Sequence, residues 1–372
     1  MQRIKPLDSL RGLAALTVLF AQCYSIWPED ARQELSWLNH TPLRILINGH
    51  AAVTLFFVLS GFVLALPFFR GQTPGYAQFA VRRLCRIYVP FAVSIILALL
   101  LYWIAGGRPV AGAGQWFNEK WANGFSLQDV LLHLAMTGRT QDMALNHNIW
   151  TLVHELRVAL IFPLLIALCA SSKRAIYAGI GLFIVCTGIM VALSPATDEF
   201  FIDTAELWIT FLITGRCIGF FLAGILLAKH QDMLMQKLAT LPGIVKMGIW
   251  GLCLAVLAAP HFPQEDILQG AVAALAILLV MVQPRLGVWL SSAPILWLGR
   301  VSYSLYLVHL PILFALFHLL LGRLSFGAVT VIGIAASLIA AQIMHVLVER
   351  PAIRFARRVT QESGQRVAAG SW

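Results

Sequence analysis

Residues 150–163 read Trp-Thr-Leu-Val-His-Glu-Leu-Arg-Val-Ala-Leu-Ile-Phe-Pro, an apolar run that carries His154, Glu155 and Arg157 in its first two helical turns. Ionisable side chains at membrane depth are costly and mark functional positions. A carboxylate or a neutral imidazole placed there can take or give a proton. Helical spacing puts His154 and Arg157 on one face and Thr151 and Glu155 on a neighbouring one. A structural role stays open, in which Glu155 and Arg157 satisfy each other or a neighbouring helix.

Other polar residues interrupt apolar segments and offer partners. Asp8 and Arg11 stand three apart and can pair along one helical face. Gln22 follows Arg11 by close to three turns, so both lie on the same face, about 16 Å apart along the axis. Arg82, Arg83 and Arg86 precede a third apolar segment, with Arg83 and Arg86 on one face. Planar guanidinium forks bind oxyanions bidentately and suit phosphates; a plain topogenic cluster is the simpler alternative. Residues 298–311 set Ser302, Tyr306 and His309 at i, i+4, i+7, a polar stripe with His309 about 15 Å in from one end. By rise per residue, Gln22, Glu155 and His309 all reach the neighbourhood of the midplane. Ser60 and Gly61, inside an apolar run, read as a point of close helix approach and not as a nucleophile.

The elements that must position these groups follow from composition. The chain has 372 residues, 59% hydrophobic and 12% charged, with mean hydropathy +0.79. That excludes an ordinary soluble domain. The net charge of +10 fits the basic loops of a polytopic membrane protein, and no nucleic-acid partner is expected. Six cysteines are scattered without metal-ligand spacing, so neither disulfides nor a metal is expected and the thiols read as small core residues. The N-terminal apolar run, broken by Asp8 and Arg11, reads as a retained span and not a signal peptide.

Hydropathy predicts about ten membrane helices, roughly 10–27, 50–69, 87–106, 149–170, 175–195, 207–228, 243–260, 267–283, 299–321 and 326–348. With the N-terminus inside, cytoplasmic segments hold Arg70, Arg82, Arg83 and Arg86, then Lys173 and Arg174, Lys229 and Lys237, and Arg350, Arg354, Arg357 and Arg358. The opposite loops hold Glu29, Asp30, Asp198, Glu199, Asp203 and Glu265. This asymmetry places both termini in the cytoplasm. Within the long outer loop at 107–148, residues 125–136 read as a short interfacial amphipathic helix anchored by Trp116 and Trp121.

Taken together these segments resemble the membrane-bound acyltransferase type 3 family, which includes bacterial O-antigen and exopolysaccharide acetylases. The matching stretches are residues 7–16, 56–64, 82–90, 150–163, 298–311 and 349–351, in family order across nearly the whole chain. The resemblance implies transfer of an acyl group from cytoplasmic acyl-CoA to a hydroxyl, commonly of a sugar, on the far side. It implies that Arg11 opens the first-helix Arg-x10-His motif, that Arg83 and Arg86 form the Arg-x-x-Arg motif serving the donor, and that Glu155 is the acidic residue following Trp-Ser/Thr-Leu. Tyr303 and His309 match the ninth-helix signature. This chain departs from the pattern at Gln22, where the family has histidine. Glutamine hydrogen-bonds but cannot accept a proton near neutral pH. Either another group such as His154 or Glu155 is the base, or the chain is impaired.

The expectation is therefore an all-α polytopic protein of the bacterial inner membrane. It has a transmembrane acyltransferase domain over 1–350 and a basic cytoplasmic tail over 351–372. It would be an O-acyltransferase using acetyl-CoA or another short acyl-CoA, with a cell-surface or exported glycan as acceptor. Gln22, Glu155, His154, His309 and Arg11 are the candidate catalytic residues, and Arg83, Arg86 and Tyr303 the candidate donor residues. Rival readings are an impaired scaffold and a transporter or flippase, whose path the same buried charges would line.

Overall fold

A computed structural model describes residues 4–122, 124–193, 206–259 and 265–369. The chain is built from helices, with no strand among the described residues. We number α1 Lys5–Ile26, α2 Gly49–Phe69, α3 Tyr76–Ala105, α4 Gln115–Trp121, α5 Leu127–Leu134, α6 Trp150–Ser171 and α7 Lys173–Leu193. There follow α8 Leu207–Lys229, α9 Gln231–Thr240, α10 Gly243–Ala258, α11 Glu265–Val282, α12 Ala293–Leu320, α13 Phe326–Met344 and α14 Arg350–Ala369. Among the described residues nine segments are long and apolar enough to cross a membrane, ten if α9 and α10, bent by 117°, form one span. The acidic residues Asp198, Glu199 and Asp203 lie outside the described residues.

Two helix starts differ from the hydropathy reading, and both matter. α3 begins at Tyr76 and α12 at Ala293, so Arg83 and Arg86 are helical residues inside the bundle and not loop charges ahead of it, and Arg300, already within the expected span, lies about two turns into α12. Hydropathy sees only the apolar run. Long basic side chains let a helix continue past it. The C-terminal basic segment is also helical. A π-helical turn at His345–Glu349 joins α13 to α14. α14 packs on α3 through buried Ala352, Ala356 and Thr360, whose Oγ1 accepts from Arg82 Nε at 2.9 Å.

Two glycine contacts set the bundle. α1 crosses α12 where Gly12 meets Gly299, and a Cβ on Gly12 would come within 2.5 Å of the Gly299 nitrogen. α2 crosses α8 where Gly61 faces Phe221 and Gly224 faces Val58 and Phe62. Small residues let helix backbones approach where lipid offers no hydrophobic drive, in line with the expectation for Gly61. Buried ion pairs then hold α11: Arg44, ahead of α2, pairs with Glu265 at 3.0 Å, and Arg216 of α8 pairs with Asp266 at 2.6 Å. Asn48 caps α2 by accepting the Ala51 N–H at 3.0 Å.

The outer loop folds into the bundle. Trp121 is fully buried, edge-on to Phe314 at 5.3 Å and to Tyr102 at 5.5 Å, and Trp116 packs on Phe314 at 5.8 Å. The two tryptophans therefore anchor the loop to α12 and not to the membrane interface as expected. α5 is amphipathic: Leu127 and Leu131 are 74% and 57% exposed, while His133 is buried against Phe91. Burial pushes His133 down to about 3, so its ring is neutral at pH 7.

The crossing makes a direct prediction. Gly12→Ala forces α1 and α12 apart and should destabilise by about 1–3 kcal/mol. Gly248→Ala, on α10 where an added Cβ meets nothing, should leave stability equal or slightly higher. Thermal unfolding of the detergent-solubilised protein, followed by size-exclusion profile, measures both. Equal midpoints for the two variants would contradict the close crossing.

Candidate functional site

The Gly12–Gly299 crossing brings the polar face of α1 against the Ser302–His309 stripe of α12. Between them, α2, α3 and α14 enclose a hollow of about 1000 Å³ on the basic side, lined by Arg11, Arg86, Ser302 and Tyr303 among others. A narrower hollow of about 70 Å³ continues inward, sharing Arg11, Val63, Arg86, Ser302 and Tyr303 with the first and ending at Thr151, Glu155 and Tyr306. We call these the vestibule and the neck.

The neck is where charge concentrates. Glu155 of α6 meets Arg11, Arg83 and Arg86 around one small space. Ser60 of α2 donates to Glu155 Oε1 at 3.3 Å. Arg83 lies over the Phe79 ring at 5.8 Å, and Arg11 reaches Asp8 at 4.0 Å. Tyr303 donates to the Ile87 carbonyl at 2.7 Å, tying α12 to α3 beside the arginines. A single carboxylate opposed by three guanidiniums leaves the neck net positive, suited to a group that develops negative charge.

Past the neck runs a hydrogen-bonded chain. Tyr306 donates to the Asn148 main-chain carbonyl at 2.7 Å, which leaves the Thr151 hydroxyl to donate to Tyr306, also at 2.7 Å. The Asn148 side chain accepts from Gln22 Nε2 at 2.8 Å and donates to His309 Nε2 at 2.8 Å. His309 Nδ1 then carries the proton and donates to the Leu305 carbonyl at 2.8 Å. Both ring nitrogens are thereby engaged. Gln22 Oε1 is buried and accepts no hydrogen bond from the described residues.

The structure thus gathers Arg11, Arg83, Arg86, Glu155 and Tyr303 around the neck, and joins Gln22 and His309 through Asn148. It turns His154 elsewhere. That ring is buried on the neighbouring face of α6, about 100° around from Glu155, its Nδ1 donating to Thr214 Oγ1 of α8 at 2.9 Å. Arg157 shares this second cluster, bonding Thr210 and Thr214 and the Thr137 carbonyl, with Phe211 below it at 4.6 Å. Arg157 and Glu155 do not satisfy each other. Sequence reasoning missed Asn148 altogether, read Ser60 only as packing, and read Arg70, Arg300, Arg350, Arg354 and Arg357 as topology signals or not at all. All five of these arginines line the vestibule.

Comparison with known proteins decides the family. The acyltransferase domain family matches residues 4–346. The chain belongs to that family. This acyltransferase is 26% identical to acyltransferase MdmB of Streptomyces mycarofaciens, over 96% of this chain and 93% of that one. It is 26% identical to the O-acetyltransferase PaAT-1 of Phomopsis amygdali, over 84% of this chain and 73% of that one. It is 23% identical to the putative peptidoglycan O-acetyltransferase YrhL of Bacillus subtilis, over 83% of this chain and 48% of that one. No solved structure matches the chain.

The Gln22–Asn148–His309 chain is testable without an activity assay. Asn148→Ala and His309→Ala should each destabilise the acyltransferase by about 1–3 kcal/mol, because each strands buried polar partners. The double variant should fall short of the sum by about 0.5 kcal/mol or more. Thermal or denaturant unfolding of the three variants measures the coupling. Strict additivity would show that the two side chains do not share the bond.

Proposed function

We propose that the protein is a membrane O-acyltransferase that takes an acetyl or other short acyl group from acyl-CoA on the cytoplasmic side. The acceptor is a hydroxyl of a cell-surface or exported glycan. The observation that carries this reading is the placement of Glu155 and three arginines in a neck reached from a wide basic vestibule. The names of two relatives, an O-acetyltransferase and a putative peptidoglycan O-acetyltransferase, support an oxygen acceptor and a glycan.

In this mechanism the thioester carbonyl enters the neck from the vestibule and the acceptor hydroxyl approaches Glu155 from the outer side. Glu155 takes the hydroxyl proton as oxygen attacks the carbonyl carbon. The new C–O bond forms, the carbonyl electrons move to oxygen, and the oxyanion is held by the neck guanidiniums. Collapse breaks the C–S bond, and the departing thiolate recovers the proton from Glu155. Ser60 orients the carboxylate through its hydrogen bond. The unpartnered Gln22 Oε1 is a ready acceptor for a second hydroxyl of the incoming sugar. His154, packed against α8, serves structure in this account, and His309 holds Asn148 in place.

An impaired scaffold is the second reading, and Gln22 is the observation that favours it. Labelled acyl transfer in proteoliposomes separates these readings and the transporter alternative. We expect acylated acceptor from the wild-type protein and a loss of about 10²–10⁴-fold in Glu155→Gln, with folded protein retained. Net flux of an unreacted solute would indicate transport, and neither product nor flux would indicate a silent scaffold.

The orientation is proposed with the vestibule facing the cytoplasm, in a bacterial inner membrane, and with both termini on that side. The basic residues around the vestibule support it. So does α10, which carries the chain from the α8 end back to Arg44 and Asn48, where the carbonyls of Leu257 and Ala259 are bonded. In a cysteine-free background, Arg108→Cys should react with an impermeant thiol reagent in intact cells and Lys237→Cys should not. The reverse pattern would invert the account.

A further inference from the structure

Arg83 and Arg86 lie too deep to be the whole of the donor site. Arg83 lines only the neck, beside Glu155, and Arg86 sits where neck and vestibule meet. The rim of the vestibule carries a separate set: Arg70 at the end of α2, Arg300 on α12, and Arg350, Arg354 and Arg357 on α14. All five are exposed, and none makes an ion pair among the described residues. The carboxylates that line the same hollow are engaged already. Asp8 is on Arg11 at 4.0 Å, and Glu349 Oε2 accepts from Ser304 at 2.7 Å and from His345 Nδ1 at 2.9 Å. The rim therefore sets five guanidiniums around a hollow whose two lining carboxylates, Asp8 and Glu349, are turned to other partners.

The fold holds them in that position. Arg350, Arg354 and Arg357 recur at i, i+4, i+7 and so share one face of α14. The π-helical turn at His345–Glu349 sets the phase of that face, and such turns recur at functional sites. Ala352, Ala356 and the Arg82–Thr360 bond pin the helix to α3. Beside the arginines, the Trp297 indole is fixed by donating to Gln342 Oε1 at 2.7 Å, and both residues line the hollow.

We infer that the α14 arginines, with Arg70 and Arg300, form a polyphosphate clamp for the nucleotide end of a free acyl-CoA donor, with Trp297 offering a face to the base. This rests on acyl-CoA as the donor. Coenzyme A carries a pyrophosphate and a 3′-phosphate at one end and a slender thioester-bearing arm at the other. The wide basic rim fits the first and the narrow neck the second. Planar guanidinium forks suit phosphate oxygens, and aromatic faces stack on bases. The clamp selects for the intact coenzyme, whereas a donor lacking the adenosine phosphates would engage the neck alone.

The test uses the full-length protein in nanodiscs and compares wild type with R350Q/R354Q/R357Q. R358Q, an exposed neighbour outside the vestibule lining, is the control. Adenosine 3′,5′-bisphosphate binding is measured by calorimetry, and acyl transfer is measured with acetyl-CoA, acetyl-dephospho-CoA and acetyl-pantetheine. Wild type and R358Q should bind the bisphosphate. The triple variant should lose at least about tenfold in affinity and a comparable factor in KM for acetyl-CoA, with kcat retained and acetyl-pantetheine used equally by all three proteins. Equal bisphosphate binding by wild type and triple variant, or equal loss with all donors, would overturn the clamp. Retention of phosphatidylglycerol by wild type but not by the triple variant, without bisphosphate binding, would overturn it in favour of a lipid phosphate site. If no donor supports transfer yet the bisphosphate still binds in an arginine-dependent way, the clamp stands and the acyl-transfer reading fails.

Discussion

The contact on which the site depends is the one where α1 and α12 touch with no side chain between them. Gly12 and Gly299 let the two backbones meet, and everything polar on their facing sides follows from that closeness. Arg11 is the residue next to Gly12 on α1, and Ser302 and Tyr303 stand about one turn beyond Gly299 on α12. These residues wall the hollow that narrows toward Glu155. A bundle held apart by even one methyl group here would lose the shared wall of vestibule and neck. The buried pairs Arg44–Glu265 and Arg216–Asp266 do a related service on the opposite side, fixing α11 against α2 and α8.

Asn148 is the second organising feature. Its main chain receives Tyr306 and its side chain joins Gln22 to His309, so one residue from the outer loop links α1, α6 and α12. The loop reaches this position because Trp121 and Trp116 bury themselves against α12, and because Asn146 donates to the Leu307 carbonyl at 2.8 Å. Both nitrogens of His309 are hydrogen-bonded, and the proposed mechanism accordingly gives it a positioning role. In the proposed mechanism proton transfer falls to the carboxylate in the neck, and the glutamine at position 22 is compatible with a working site.

Much of this was legible from residue order, and the gaps have physical causes. Helices averaging over an apolar turn-by-turn run announce themselves, which is why the spans and the all-α class emerge from hydropathy. Their ends do not, because Arg83 and Arg86 belong to a helix that starts before its apolar run does. Adjacent residues His154 and Glu155 point about 100° apart on a helix, and no pattern says which of the two faces meets the cavity. Asn148 was invisible because it lies in a loop, outside every periodic segment. The arginines of α14 carried a signal, the i, i+4, i+7 spacing, but a positive-inside reading accounts for basic residues without asking what they face.

The central claim is that Glu155, and not the residue at position 22, carries the proton in acyl transfer by this chain. The most direct measurement is the rate of transfer by the natural Gln22 protein beside Gln22→His, at matched folded protein and across pH 5 to 9. The account predicts that the natural protein is active and that the histidine variant changes its rate by less than about tenfold, with no new rise through roughly pH 6 to 7, where an imidazole becomes neutral. An inactive natural protein rescued by about 10² or more in Gln22→His, with a rate that climbs through that window, would place the base on α1 and contradict the account.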